Sequence, residues 1–479
     1  MLDNSDYMAM DAIELAEGIR NKDFSSQEVN SCAVEQARRI NPSINAIVHE
    51  NFEEGLEQAK AVDANPELLE QSKLAGIPFL IKDLSMVKGL PVSFGSRLFD
   101  GYIAEHNSSI VRKFLDAGLI VIGKTTTPEF GVTLTTEPHA NASCRNPWNT
   151  AYSTGGSSGG AAAAVAAGIV PVAHAADGGG SIGIPAACCG VFGLKPSRGL
   201  TVIENTLADC WGGLSVGHVV SQTVRDSAAF LDLIRLTKPN LFALPPSPAS
   251  FYDAREADVP QLRIGIQITH PMGQEIDQDC IKGVKKAAQL CESLGHSVEE
   301  IIHPVDYYRV SSAMSKLINT HVYQAVAPRL EKLQLSLDDC PIEASTRIMA
   351  KNGSQITAAS YLDARDTIQK AEQQMREFHQ QYDIIISPVL SKIPAKIGWL
   401  DMNSDDMKQY TNRFKAYSGF TALYNGTGQP SMSMPLHQTA ENIPVGVMFS
   451  GAWGADSLLL QLATQIEQAA PWSKNIYNT

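Results

Sequence analysis

A serine directly follows three glycines near the middle of this chain, in the segment from Asp177 to Ser181. Because glycine has no side chain, nothing covers the backbone N–H groups beside the Ser181 hydroxyl. That combination suits acyl transfer, in which a hydroxyl attacks a carbonyl carbon and amide N–H groups stabilise the oxygen as it becomes negative. The segment therefore predicts acyl-transfer chemistry.

Two upstream segments carry further polar groups in unusual settings. Ser157 and Ser158 lie between two glycine pairs in the block 155–160, and Lys82 ends an apolar run that begins at Gly76. The apolar residues before Lys82 indicate the end of a buried strand. A lysine is normally charged at neutral pH, and it can act as a base only where burial disfavours that charge.

Two common motifs also match by letter, and the sequence disfavours both. The segment 155–159 fits the G-x-S-x-G nucleophile elbow, which must join a strand to a helix. Here residues 149–154 before it predict a polar loop, which argues against a Ser-His-Asp hydrolase. The segment 178–183 fits G-x-G-x-x-G, but Pro185 and residues 188–190 do not predict the regular surface helix that a dinucleotide site needs.

Composition narrows the classes of function. The chain has 479 residues, of which 44% are hydrophobic, and its formal charge is −13. This negative charge argues against nucleic acid or an anionic membrane as a partner. The acidic N-terminus lacks the order of a signal peptide, and no apolar stretch is long enough to span a bilayer. The eight cysteines lack metal-ligand spacing, so we expect mostly buried free thiols, no metal and no cofactor, in a cytoplasmic protein.

Strand and helix patterns alternate along the chain. Ser25 to Glu28 has the form of a capping box, and the helix that it starts is predicted to end at Asn41-Pro42. The alanine-rich stretch 161–167 has no polar side chain and predicts a helix buried on all sides. Apolar runs such as 383–388 predict buried strands. The alternation indicates an α/β layered fold around a largely buried sheet.

The motifs together resemble the amidase signature family, in the family's order and over most of the chain. Two further segments, 135–138 and 171–174, resemble one hydrolase subgroup within it. The segments that carry the family resemblance are 76–83, 123–130, 145–148, 155–160, 177–185, 192–199 and 428–431.

The resemblance implies a fold and a set of catalytic roles. It implies a mixed central sheet between helical layers, in one amidase signature domain over residues 1–479 with a helical, substrate-shaping region at about 304–380. Carried over residue by residue, Lys82 is the base, Ser157 the bridging serine and Ser181 the nucleophile. Ser157 lies 24 positions before Ser181, which matches the family's spacing. By the same resemblance a cis peptide bond precedes Ser157.

The same resemblance assigns the oxyanion hole to backbone N–H groups of Gly178, Gly179, Gly180 and Ser181. Ser158 and Asp177 are expected in supporting roles, with Asp177 bracing the glycine turn. The implied reaction is amide hydrolysis through an acyl-enzyme, with a small-molecule amide or ester as substrate and a homodimer as an open possibility. A weakly active or inactive amidase-like binding protein and a glutamine-dependent transamidase subunit remain as alternatives.

One position departs from the family's pattern. Two residues after the nucleophile the family usually carries arginine, whereas this chain has Gly183. The missing charge and bulk predict a roomier pocket, less suited to anionic acyl groups. Asp177 would then need another partner, for which Arg145 and Arg198 are candidates.

Overall fold

The computed structural model describes residues 2–202, 210–239 and 242–472. Within these ranges eleven strands form one sheet, in the order β1-β3-β2-β4-β6-β5-β10-β11-β9-β7-β8. Parallel pairs join β3, β2 and β4 on one side and β9, β7 and β8 on the other, and the pairs between β4 and β9 are antiparallel. The strands are β1 (Ile47–Glu50), β2 (Pro78–Lys82), β3 (Ile120–Thr125), β4 (Val172–Asp177), β5 (Phe192–Lys195), β6 (Val216–Ser221), β7 (Arg263–Ile266), β8 (Ser297–Glu300), β9 (Ile384–Pro388), β10 (Ser431–Gln438) and β11 (Pro444–Gly451).

Helices cover both faces of this sheet. The α-helices in the described ranges are α1 (Asn4–Ala9), α2 (Ala12–Asn21), α3 (Ser26–Ile44), α4 (Phe52–Asp63), α5 (Pro66–Gln71), α6 (Ser109–Asp116), α7 (Gly159–Ala166), α8 (Gly183–Cys189), α9 (Val224–Ile234), α10 (Phe251–Ala254), α11 (Gln278–Ser293), α12 (Tyr307–Leu333), α13 (Ala344–Ser354), α14 (Ala358–Phe378), α15 (Met407–Tyr417), α16 (Ala422–Gly426) and α17 (Asp456–Ala469). Short 3-10 helices occur at Arg97–Phe99, Glu129–Gly131 and Cys210–Gly213.

The two faces of β10 and β11 illustrate the layering. Met432 and Met434 pack into a core that also contains side chains of α11 and α17, whereas Met448 packs with α8 on the opposite face. Successive strand residues point to opposite faces, so both faces must be apolar when helices cover both. This arrangement confirms the predicted mixed α/β sheet between helical layers.

Local sequence signals predict the start of α3 correctly and its end incorrectly. Ser25 and Glu28 form the predicted capping box at the start of α3. The prediction that Asn41-Pro42 ends this helix is wrong, because α3 continues through Pro42 to Ile44. A proline in the last turn of a helix leaves only its i−4 carbonyl without a hydrogen-bond partner. The tertiary packing of Ile40 and Ile44, which are both buried, outweighs this small cost. A helix also opens after the glycine run, but α8 is short and lies in the interior.

Parallel pairing places the ends of two strands side by side. Strand β2 lies parallel to β4, with Leu80 opposite Ala173, so Lys82 and Asp177 emerge at the same edge of the sheet. Helix α7 begins beside this edge and is buried throughout, as the run of alanines predicts. Helix α8 begins just after Ser181. Two strand ends and two helix starts therefore meet at one place.

The helical region at about 304–380 consists of α12, α13 and α14. Two buried carboxyl groups, those of Glu343 and Glu129, connect it to the segment that follows β3. The Glu343 backbone N–H, at the start of α13, donates to Glu129 Oε2 at 2.8 Å. Its side chain accepts from the His139 backbone at 2.9 Å. Burial, together with the nearby Glu129 carboxyl, raises the pKa of Glu343 to about 8. The folded protein therefore binds the Glu343 proton more tightly than the unfolded chain does.

This pKa predicts how stability changes with pH. Because the folded pKa is above the unfolded value, the stability that Glu343 contributes is fully present below the unfolded carboxyl pKa and is lost as pH rises through about 8. We expect Glu343→Gln to match the wild-type melting temperature near pH 5 and to exceed it by about 2 °C or more at pH 9. Thermal unfolding followed by circular dichroism across this range measures the difference. Glu331→Gln, at an exposed position on α12, is the matched control; a parallel gain there would contradict the assignment.

Candidate active site

Lys82 is a buried cation at the shared strand edge, with a relative exposure of 1%. Its Nζ lies 2.8 Å from Ser157 Oγ, 2.8 Å from Ser158 Oγ and 3.1 Å from the Ala176 carbonyl oxygen. Three acceptors match the three N–H bonds of an ammonium group. A neutral amine has two N–H bonds and one lone pair, and Ala176 O can only accept. In the neutral form, the lone pair of Lys82 Nζ can therefore accept from the hydroxyl of Ser157 or Ser158.

The loop that carries Ser157 is packed too tightly for side chains at its glycines. A Cβ at Gly156 would lie 2.5 Å from the Thr135 carbonyl oxygen. Threonine hydroxyls hold the loop, from Thr136 to Gly155 O at 2.8 Å and from Thr127 to Ser157 O at 3.1 Å. The Gly156–Ser157 peptide bond is cis. These contacts present the Ser157 hydroxyl to Lys82.

Ser181 lies on a loop hydrogen-bonded to the serine pair. The Ser158 backbone N–H donates to the Ser181 carbonyl oxygen at 3.3 Å. In the segment 178–184 only Gly179, Ser181 and Gly183 are partly exposed. These three alternate residues therefore form the solvent-accessible face of the loop, and the two glycines place no side chain beside the Ser181 hydroxyl.

Asp177 braces the loop from below. Its Oδ1 accepts from the Gly180 N–H at 2.6 Å, and its Oδ2 accepts from the Ile182 N–H at 2.6 Å and from the Gly183 N–H at 3.4 Å. The Gly180 N–H, one of the four expected oxyanion-hole donors, is thus engaged by this carboxylate. The Gly180 carbonyl accepts from Ile184 N–H at 2.7 Å. Since N–H and C=O point in opposite directions across a trans peptide, the Ser181 N–H points away from α8.

The side chain that meets Asp177 is that of Asn425. Its Nδ2 donates to Asp177 Oδ1 at 2.9 Å. Arg198, one of the two arginines suggested from the sequence, donates instead to the Asn425 carbonyl at 2.7 Å. Arg145 donates to the Thr150 carbonyl at 2.9 Å. The expected arginine partnership is therefore corrected to an amide–carboxylate hydrogen bond.

Two more buried lysines surround the site. Lys124 Nζ lies 2.6 Å from Asp83 Oδ1, next to Lys82 in the chain. Burial would raise the pKa of the Asp83 carboxyl, but Lys124 and His49 hold it below its usual value. Burial lowers the pKa of Lys195 to about 8, although Asp177 and Asp456 oppose that shift. The Asp83 charge is therefore paired with Lys124 at 2.6 Å, beside the base candidate.

Sequence reasoning missed Asn425 and Thr421, which belong to the α16 turn far along the chain. Thr421 Oγ1 donates to the Gly179 carbonyl at 2.8 Å. The motif at 428–431 begins three residues after Asn425 and was the nearest signal. Within the described ranges no group of three or more His, Cys, Asp or Glu side chains could hold a metal ion. No helix in those ranges is long and apolar enough to cross a membrane.

The glycines of this loop should differ sharply in their tolerance of a methyl group. Gly180 has φ +122°, and a Cβ there would lie 2.2 Å from Thr421 Oγ1. A Cβ at Gly183 would have no atom nearer than Ser433 Cβ at 4.0 Å. We expect Gly180→Ala to lower the melting temperature by several degrees, because the loop must shift, and Gly183→Ala to leave it within about 1 °C. Differential scanning calorimetry of both variants measures this; equal destabilisation would contradict the loop geometry.

Comparisons with known proteins find similar sequences over most of the chain. A family model described as Amidase matches residues 28–460. The chain is 31% identical over 476 residues to the 6-aminohexanoate-cyclic-dimer hydrolase of Paenarthrobacter ureafaciens, spanning 96% of this chain and 95% of that protein. The hydrolase of the same name from Pseudomonas sp. strain NK87 is 31% identical over 480 residues, spanning 96% and 95%.

A solved structure shares the whole fold. The structure of 6-aminohexanoate cyclic dimer hydrolase complexed with substrate superposes with a TM-score of 0.88 at 29% identity, covering 97% of this chain and 98% of that chain. These matches confirm the resemblance to this hydrolase that segments 135–138 and 171–174 indicated.

Proposed function

The chain belongs to the amidase signature family and is an amidase, and from that premise we propose that it hydrolyses small amides through an acyl-enzyme formed on Ser181. The observation that carries this proposal is the 2.8 Å contact between the buried Lys82 Nζ and Ser157 Oγ. It supplies a base to a hydroxyl that can relay a proton from Ser181.

Acylation begins with two coupled proton transfers. Neutral Lys82 takes the proton of Ser157 as Ser157 takes that of Ser181. The Ser181 oxygen attacks the amide carbon, and the carbonyl oxygen becomes negative. The tetrahedral intermediate collapses when the proton returns through Ser157 to the leaving nitrogen, which departs as an amine.

Hydrolysis of the ester intermediate uses the same groups in reverse. Water gives a proton through Ser157 to Lys82 and attacks the acyl carbon, and the acid product leaves as Ser181 regains its proton. Of the backbone donors assigned to the oxyanion hole, those of Gly178, Gly179 and Ser181 serve the developing charge. The Gly180 N–H acts indirectly, since it holds Asp177.

The open space beside Gly179 and Gly183 favours neutral acyl groups of some bulk. Gly183 leaves space where the family usually has arginine, and Gly179 also faces open space, with Ala422 Cβ at 4.0 Å as the nearest atom to a Cβ there. We also propose that the helical region at about 304–380, within a single domain, shapes the substrate site beside Ser181. In support, Leu317 of α12 and Tyr361 of α14 pack on Gly212, beside Trp211, whose ring lies against Gly178.

Removal of the nucleophile tests the proposal directly. We expect Ser181→Ala to abolish amide hydrolysis, by at least about 10⁴-fold in kcat, with an unchanged melting temperature, because it removes the attacking oxygen and little volume. Turnover of neutral anilides and esters measures the loss, and mass spectrometry of wild type quenched during turnover detects the acyl adduct on Ser181. Activity retained by the folded variant would refute the role of Ser181.

Lys82→Met tests the base with a side chain of similar length and no amine. We expect acylation of Ser181 to slow by at least about 10³-fold, since the variant lacks the amine that contacts Ser157 Oγ at 2.8 Å. Single-turnover kinetics with an activated ester follow acylation alone. An unchanged acylation rate would show that another group is the base.

Gly183 tests the choice of substrate. We expect wild type to prefer neutral amides to amides with a carboxylate near the scissile bond, and Gly183→Arg to shift the ratio of kcat/KM toward the carboxylate substrates by about 10-fold. Gly183→Gln, which adds bulk without charge, is the matched control. A wild-type preference for carboxylate substrates, or an equal shift in both variants, would contradict the account.

A further inference from the structure

We propose that Thr421 and Asn425 at the α16 turn are positioning residues that orient the peptide planes of the nucleophile loop, residues 177–181. The proposal rests on the proposed function of Ser181, because it concerns the amide donors beside that serine. Its basis is a set of hydrogen bonds that run from the α16 turn to the Asp177 and Gly179 carbonyl groups of the loop.

Thr421 and Asp177 hold the same peptide plane from opposite ends. Thr421 Oγ1 donates to the Gly179 carbonyl at 2.8 Å, and the Gly180 N–H donates to Asp177 Oδ1 at 2.6 Å. These two groups belong to one peptide unit and point in opposite directions. Rotation of that unit would break both hydrogen bonds together, so its orientation is set.

Asn425 orients the peptide unit at the other end of the glycine run. Its Nδ2 donates to the Asp177 carbonyl at 3.0 Å and to Asp177 Oδ1 at 2.9 Å. Because the Asp177 carbonyl points toward Asn425, the N–H of the same unit, that of Gly178, points away from it. The Asn425 amide therefore orients the Gly178 N–H, a candidate oxyanion donor. It also binds the Asp177 carboxylate, which accepts from the Gly180 N–H.

The glycines make this external hold necessary. Gly178, Gly179 and Gly180 have no Cβ to restrict their backbone angles, so the run could adopt many conformations if left alone. A preorganised oxyanion hole requires fixed donors, because a donor that must turn during the reaction loses much of its effect. Side chains from α16 supply the restriction that the glycines lack.

Helix α16 is itself anchored independently of the loop. Arg198 donates to the carbonyls of Asn425 and Gly426, and Gly426 packs closely against Met314 of α12. The helix should therefore stay in place when a single contact to the loop is removed. This permits a test that separates orientation of the loop from simple stability.

The test compares three threonine variants. Thr421→Val keeps the shape of the side chain and removes the hydroxyl, whereas Thr421→Ser keeps the hydroxyl. Thr427→Val is the matched control, because Thr427 is also buried at this turn but its hydroxyl lies 3.0 Å from Leu423 O and 2.8 Å from Gln429 Oε1, either of which can accept its one proton. With a neutral anilide substrate we expect Thr421→Val to lose about 10- to 100-fold in kcat with KM nearly unchanged.

A boronic acid adds a readout that a structural role would not move. Phenylboronic acid forms a tetrahedral adduct with a nucleophilic serine and imitates the charged intermediate. We expect its inhibition constant to weaken in Thr421→Val by about the same factor as kcat/KM falls. Thr421→Ser should restore at least half of the wild-type kcat, and Asn425→Ala should show the same pattern as Thr421→Val.

The outcomes separate the two proposals. Thr427→Val is expected to keep wild-type kcat and boronate affinity even if its melting temperature falls. If Thr421→Val loses no more activity than Thr427→Val, or if Thr421→Ser fails to restore activity, the positioning role is overturned while the role of Ser181 stands. If Ser181→Ala remains active, the proposed function itself fails, whatever the threonine variants do.

Discussion

A lysine that is almost wholly buried constrains much of this structure. Removing an ammonium group from water is costly unless partners replace the water, and Lys82 finds them in two serine hydroxyls and the Ala176 carbonyl. These partners come from a loop and from a neighbouring strand, so the contact exists only when β2 and β4 pair in parallel. The same pairing places the Lys82 end of β2 beside the Asp177 end of β4.

Around Lys82, the close approach of backbone segments leaves room only for glycine at some positions. Gly156 lies too close to the Thr135 carbonyl for a Cβ, and Gly180 too close to Thr421. Such close approaches allow main-chain groups to reach the reacting serines, but they leave the loop without its own conformational restriction. Restriction comes from outside the loop, through Asp177 and α16. The site therefore depends on segments more than two hundred residues apart in the chain.

Local patterns predicted the elements well where neighbouring residues alone decide the structure. The capping box at Ser25 and Glu28 and the buried alanine helix α7 follow from contacts within one or two turns. Prediction failed at Pro42, where the packing of Ile44 keeps the helix going past a residue that locally opposes it. Sequence reasoning also suggested an arginine partner for Asp177, because opposite charges are an obvious pairing in a sequence. The sequence does not show that the fold brings Asn425 next to Asp177.

The sequence by itself determined the chemistry available: an apolar run ending in Lys82, serines set among glycines, and a spacing shared with one enzyme family. These signals lie within short segments, and their order along the chain is enough to recognise them. Only the tertiary structure decided which way the backbone N–H donors of the nucleophile loop point. The orientation of a peptide plane at Gly180 depends on Thr421 and on the Asp177 carboxylate that Asn425 holds. The contacts of Thr421 and Asn425 with the loop span more than two hundred residues, and only the folded sheet and its helices bring such distant groups within hydrogen-bonding distance.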